Sequence, residues 1–144
     1  MLGDLFYEAI GKITSKRVID LDGPKIESSY FLEGIIRVEI EVIEIGTFTS
    51  IPITDGIFSV EGKDIVTVRG NGKEIVTVKT QSISKLIRDS SSKVVYGSNF
   101  YHSSNTGKLS FLNNLVGVHE ASVDNDGNIM YKVCEWKEPL TNSK

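Results

Sequence analysis

Apolar and polar residues alternate with a period of two along most of this chain, the pattern of half-buried β-strands. Residues 5–20 read as a long first strand, with Leu5, Tyr7, Ala9 and Ile13 on one face and Glu8, Lys12, Thr14 and Lys16 on the other. Asp22-Gly23-Pro24 turns the chain into a second strand over 25–33. There Ile26, Ser28, Tyr30 and Leu32 alternate with Glu27, Ser29, Phe31 and Glu33, and Gly34 marks a bend. Residues 35–45 set Ile36, Val38, Ile40 and Val42 against Arg37, Glu39 and Glu41, whose charges read as solvated strand surface. After Val42 the phase inverts, since Ile43 and Ile45 are apolar and Glu44 is polar. A period of two inverts only through a bulge or a change of sheet face, so one of these is expected here.

Residues 62–79 contain one phrase written twice, Gly62-Lys63-Asp64-Ile65-Val66-Thr67-Val68-Arg69 and Gly72-Lys73-Glu74-Ile75-Val76-Thr77-Val78-Lys79. Asn71-Gly72 between two β-branched runs is a strong type I′ hairpin signal. With those two residues at the turn centre, Arg69 faces Glu74 and Asp64 faces Lys79. A strand over 57–61 leads into this hairpin, and Ile83, Leu86 and Ile87 show a helical spacing over 83–88. Strand character resumes over 93–103, with Val94, Tyr96, Phe100 and His102 on one side. The segment 106–114 fits either a loop or a short helix. A last hairpin joins 115–123 to 129–137 around Asn125-Asp126-Gly127. Short antiparallel strands with turns at regular spacing predict an all-β fold, an antiparallel barrel of about eight strands with one or two short helical turns.

Composition narrows the picture. The 144 residues fit a single β-barrel domain over 1–144, with 138–144 a flexible tail. The lone Cys134 forms no intrachain disulfide, and the N-terminus lacks a basic region followed by an apolar stretch. A cytoplasmic protein is expected from both. No apolar run approaches the ~20 residues of a membrane helix, so no membrane association is expected. The net charge is −3 with scattered basic residues, which argues against a nucleic-acid partner.

Candidate chemistry centres on the last hairpin. If Asp124 faces Asn128, Leu115, His119, Ala121, Val123, Ile129, Tyr131 and Val133 share one continuous apolar face, and Glu135 lies on it too. That face points inward, where His119 and Tyr131, joined by Glu135 and Tyr7, would bind a ligand. The alternative for His119 is a side chain satisfied by a core hydrogen bond. His102 reads as a rim or surface residue. Two histidines and one cysteine without ligand spacing give no metal site, and no cofactor is expected. Three partial motifs are set aside. Ser82-Ile83-Ser84-Lys85 lacks the rest of an acyl-enzyme signature, Asp124-Asn125-Asp126-Gly127 lacks the end ligands of a calcium loop, and Gly70-Asn71-Gly72 lacks a third glycine and a following helix. Phe31, Met130 and Trp136 fall on outward faces. They imply an apolar patch and a homo-oligomer, or else packing against 106–114.

Thr106-Gly107-Lys108-Leu109-Ser110-Phe111-Leu112-Asn113, Val118-His119-Glu120, the Asp124–Asn128 turn and Glu135-Trp136-Lys137 carry a resemblance, joined by Tyr7-Glu8, Gly11-Lys12 and the 46–50 segment. In these the chain resembles a family of uncharacterised single-domain β-barrels from microbes, similar in shape to calycin and allene-oxide-cyclase-like barrels. The resemblance implies a barrel that binds a small, largely apolar molecule inside. The alternatives are a cofactor-free isomerase or cyclase of the allene-oxide-cyclase type, and an interaction module with a filled interior.

Overall fold

A computed structural model of the chain describes residues 2–103 and 107–137, and the expected tail at 138–144 lies outside them. The alternating segments become eight strands: β1 (Leu2–Asp20), β2 (Lys25–Ile36), β3 (Ile40–Thr54), β4 (Ile57–Val68), β5 (Asn71–Leu86), β6 (Lys93–Ser103), β7 (Val116–Val123) and β8 (Asn128–Trp136). Each pairs antiparallel with the next, and β8 returns to β1, closing the barrel. Closure satisfies the strand-edge N–H and C=O groups that an open sheet leaves exposed. A 3₁₀ turn, Ser110–Asn114, is the single helical element among the described residues.

The two ends of the barrel differ. At one end Leu109 and Leu112 are fully buried and plug the interior beneath Phe6, Ile36 and Val76. The plug is pinned by polar contacts: the Leu109 N–H donates to Glu74 Oε2 at 2.6 Å. Asn113 imitates a strand partner, accepting from Ser103 N–H at 2.7 Å and donating to its carbonyl at 2.8 Å. The Arg37 guanidinium lies 3.4 Å from the Phe111 ring centroid and covers the plug from outside. Among the described residues the opposite end has no such plug.

Several sequence expectations are corrected. The expected strand over 35–45 is a hairpin, with Ile36 facing Ile40 and Arg37 and Val38 at positive φ in the turn. No bulge follows Val42, because the β2–β3 register runs unbroken from Ile36↔Ile40 to Ile26↔Ser50. Glu44 therefore points inward, fully buried, while Ile43 and Ile45 face out. Gly34 is no bend but an interior residue, and a Cβ there would come 2.5 Å from the Tyr7 ring. Leu5 is exposed, since a register shift between Leu5 and Tyr7 puts Phe6 and Tyr7 inside together.

The repeated hairpin is offset by one residue from its expected pairing. Asp64 faces Val78 and Lys63 faces Lys79, and Arg69-Gly70 makes the turn with φ +83° at Gly70. Arg69 bonds Glu33 at 2.9 Å rather than Glu74. The reason is that a one-residue slip exchanges the faces of a strand. The expected register would turn Lys79, Gln81 and Lys85 of β5 inward, whereas the observed one buries Val76, Val78, Ser82 and Ser84. Residues 83–86 complete β5 instead of forming a helical turn.

Candidate functional site

The final hairpin has the expected register. Asp124 N–H donates to the Asn128 carbonyl at 3.0 Å, and Gly127 takes φ +83° to close the turn. His119, Ala121, Ile129, Tyr131 and Val133 consequently face inward and are buried. The unplugged half of the barrel holds a cavity of about 200 Å³. Its floor includes His119, Tyr131, Tyr30 and Leu32, its walls Ser28, Ser82, Ala121 and Ile129, and its mouth Lys16 and Lys93.

His119 is held by two partners. Its Nε2 lies 2.8 Å from Ser82 Oγ and its Nδ1 lies 2.5 Å from Asn99 Oδ1. An amide oxygen only accepts, so Nδ1 carries the proton, and the Ser82 hydroxyl donates to Nε2. The Asn99 amide nitrogen donates onward to the Tyr131 hydroxyl at 2.5 Å and the Tyr101 hydroxyl at 3.0 Å, which fixes the amide orientation. Burial lowers the His119 pKa to about 4, so the imidazole is neutral near pH 7. Ser82 and His119 are not strand neighbours: Gly97 stands between them, paired with both. The contact passes over that glycine.

A second polar group lies deeper, between cavity and plug. Tyr7 donates to Glu44 Oε1 at 2.9 Å, and Tyr30 donates to Asp64 Oδ2 across Gly46, the residue paired with both Tyr30 and Asp64. Burial raises the Glu44 pKa well above the ordinary carboxyl range, and the neighbouring Asp64 carboxyl raises it further. Asp64 is raised by burial as well. Burial and the neighbouring acid thus favour the protonated form of Glu44, while its Oε2 and the Asp64 Oδ1 have no hydrogen-bond partner among the described residues. Burial also raises both tyrosines well above the ordinary phenol value, so they act as neutral donors.

Of the four residues expected to bind ligand, His119 and Tyr131 line the cavity. Tyr7 lies below it, its ring edge-on to Tyr131 at 5.7 Å between centroids, with its hydroxyl committed to Glu44. Glu135 faces Gly117 toward the plugged end and does not line the cavity. His102 is exposed on the outer face, as its position suggested. Sequence reasoning missed Ser82, Asn99, Glu44 and Asp64. The period of two did place Asn99 opposite the Phe100–His102 face, and the continuous even-numbered phase through Val42 would have placed Glu44 inside. Phe31, Met130 and Trp136 are exposed rather than covered by the plug. No helix among the described residues is long and apolar enough to cross a membrane.

No family model and no curated protein matches the chain. Solved structures do. A protein of unknown function from Clostridium acetobutylicum ATCC 824 superposes with a TM-score of 0.77 at 10% identity, covering 93% of this chain and 98% of its own. A β-barrel-like protein from Acinetobacter baumannii AYE gives 0.75 at 12% identity, covering 95% and 96% respectively. A conserved protein of unknown function from Rhodopseudomonas palustris gives 0.74 at 11% identity, covering 94% and 99%. At these identities the similarity is one of fold, a β-barrel shared with uncharacterised proteins.

Proposed function

We propose that the chain binds a small molecule inside the unplugged half of its barrel, with His119 and Ser82 as the polar handles. The observation that carries this reading is the cavity itself, about 200 Å³ in a barrel whose other half is packed solid. An interior filled by side chains, as in an interaction module, would leave no such space. The volume falls below the ~300 Å³ at which drug-sized pockets begin, which favours a small ligand. Its lining is less apolar than the hairpin pattern alone suggests. Ser28, Ser82, Ser84 and Thr80 bring hydroxyls to walls otherwise built of Ile26, Val95 and Ile129. Such a surface suits a ligand with an apolar body and a few hydrogen-bonding atoms.

One observation favours a second reading, a cofactor-free isomerase or cyclase. His119 is a titratable group of shifted pKa on the ligand space, a common attribute of catalytic groups. Its Nε2 is occupied by Ser82, and a base of pKa about 4 abstracts protons weakly at neutral pH. Binding is therefore the better-supported function. Native mass spectrometry of the full chain purified from its own host tests it. A co-purified small molecule is expected in the wild type and absent from Val123→Trp, which fills the mouth. Equal small-molecule content in both proteins, or none in either, would count against the proposal.

A further inference from the structure

Two lysines against one carboxylate line the mouth of the cavity. Lys16 from β1 and Lys93 from β6 both line it, and neither forms an ion pair among the described residues. Lys93 is half-buried, with its ammonium 4.9 Å from the Phe58 ring centroid. Burial, and then repulsion from Lys16, lowers its pKa. The acid at this rim, Asp124, is already engaged: its carboxylate accepts from Asp126 N–H, Asn128 N–H and the Asn128 side chain, each at 2.9 Å.

A hydroxyl completes the arrangement. Ser84 lines the same cavity, is only 3% exposed, and its Oγ has no hydrogen-bond partner among the described residues. Leaving a buried hydroxyl unpaired is costly, so a hydroxyl facing a cavity takes its partner there, from water or from a ligand atom. Ser84 faces Val95, two residues along β6 from Lys93, so hydroxyl and ammonium belong to one stretch of wall.

We infer that the mouth is an anion subsite, and that the barrel takes a small monocarboxylate with its head among Lys16, Lys93 and Ser84. The apolar body then lies against Val95, Ala121 and Ile129, pointing toward Ser82 and His119. This inference rests on the binding function proposed above. A carboxylate suits the site because two ammonium groups and one hydroxyl answer its charge and lone pairs in charge-assisted hydrogen bonds. A neutral ligand would leave the half-buried Lys93 ammonium without an anionic partner.

The test is titration of the full chain with hexanoate, 1-hexanol and hexylamine, followed by calorimetry and by the methyl resonances of Ala121 and Ile129. Hexanoate is expected to bind at least about tenfold more tightly than 1-hexanol, with hexylamine weakest. Lys93→Met should cut hexanoate affinity about tenfold and narrow its advantage over the alcohol, and Ser84→Ala should do the same to a smaller degree. Equal affinity for hexanoate and 1-hexanol would overturn the anion subsite while leaving the binding function standing. If none of the three moves the Ala121 and Ile129 signals, both fall together.

Discussion

Ser82 and His119 touch across a strand to which neither belongs, Oγ to Nε2 at 2.8 Å, because the residue between them is Gly97. Tyr30 and Asp64 meet in the same way over Gly46. In a small barrel a glycine on the inner face lets the two flanking strands exchange a polar contact. A side chain there would fill that space.

Gly97→Ala should therefore break the Ser82–His119 contact. The added Cβ would lie 2.6 Å from Ser82 Oγ and 2.8 Å from His119 Cε1, closer than real Cβ contacts come. A stability loss of about 1–3 kcal/mol is expected from overpacking, read by urea denaturation. Loss of the Ser82 hydrogen bond to Nε2 should appear in the imidazole nitrogen shifts. An unchanged nitrogen spectrum would show that the contact does not depend on the gap.

His119 also makes stability depend on pH. Its folded pKa, about 4, lies below the ordinary 6.5, so the unfolded chain binds more protons between those values. Stability from this group is fully present above pH 6.5 and is lost as pH falls through 4, a difference of about 3 kcal/mol. His119→Gln, which does not titrate, should show a shallower acid-side loss in denaturation series from pH 4 to 7. Parallel wild-type and variant curves would contradict the assignment.

Glu44 acts with the opposite sign. Its folded pKa is raised, so its favourable contribution is complete below the unfolded carboxyl value and fades as pH rises through the folded one. Glu44→Gln keeps an acceptor for Tyr7 without the ionisation. The melting temperature of the variant relative to wild type should climb steadily from pH 5 to pH 9. A constant difference across that range would mean that Glu44 does not change its proton on folding.

The plug and the cavity should be separable. Leu112 is fully buried at the closed end, and Leu112→Ala should cost about 2–5 kcal/mol through the hole it leaves. Resonances of Ala121 and Ile129 at the other end should hardly shift, since the Glu44–Asp64 layer lies between. Large changes there would indicate that the plug sets the shape of the cavity.

Much of the fold was legible in the residues. Alternation at a period of two, turn residues at regular spacing and the last hairpin's pairing all led to an eight-stranded antiparallel barrel with His119 and Tyr131 inside. Errors arose where one strand's pattern had to choose a face unaided. Glu44 between Ile43 and Ile45 looks like an outward acid flanked by core residues, and the repeated phrase pairs opposite charges in the expected register, whereas the observed one sets Lys63 against Lys79. Both choices are made by neighbouring strands.

By itself the sequence determined the period, the strands and the inward face of the closing hairpin, because alternation and turn chemistry act over a few residues. Tertiary structure decided the rest. Asn99, Ser82 and His119 come from three different strands, and Glu44 is met inside the barrel by the Tyr7 hydroxyl, which arrives from another strand. Whether a polar residue points into such a barrel depends on whether a partner waits there, and closure of the sheet brings that partner.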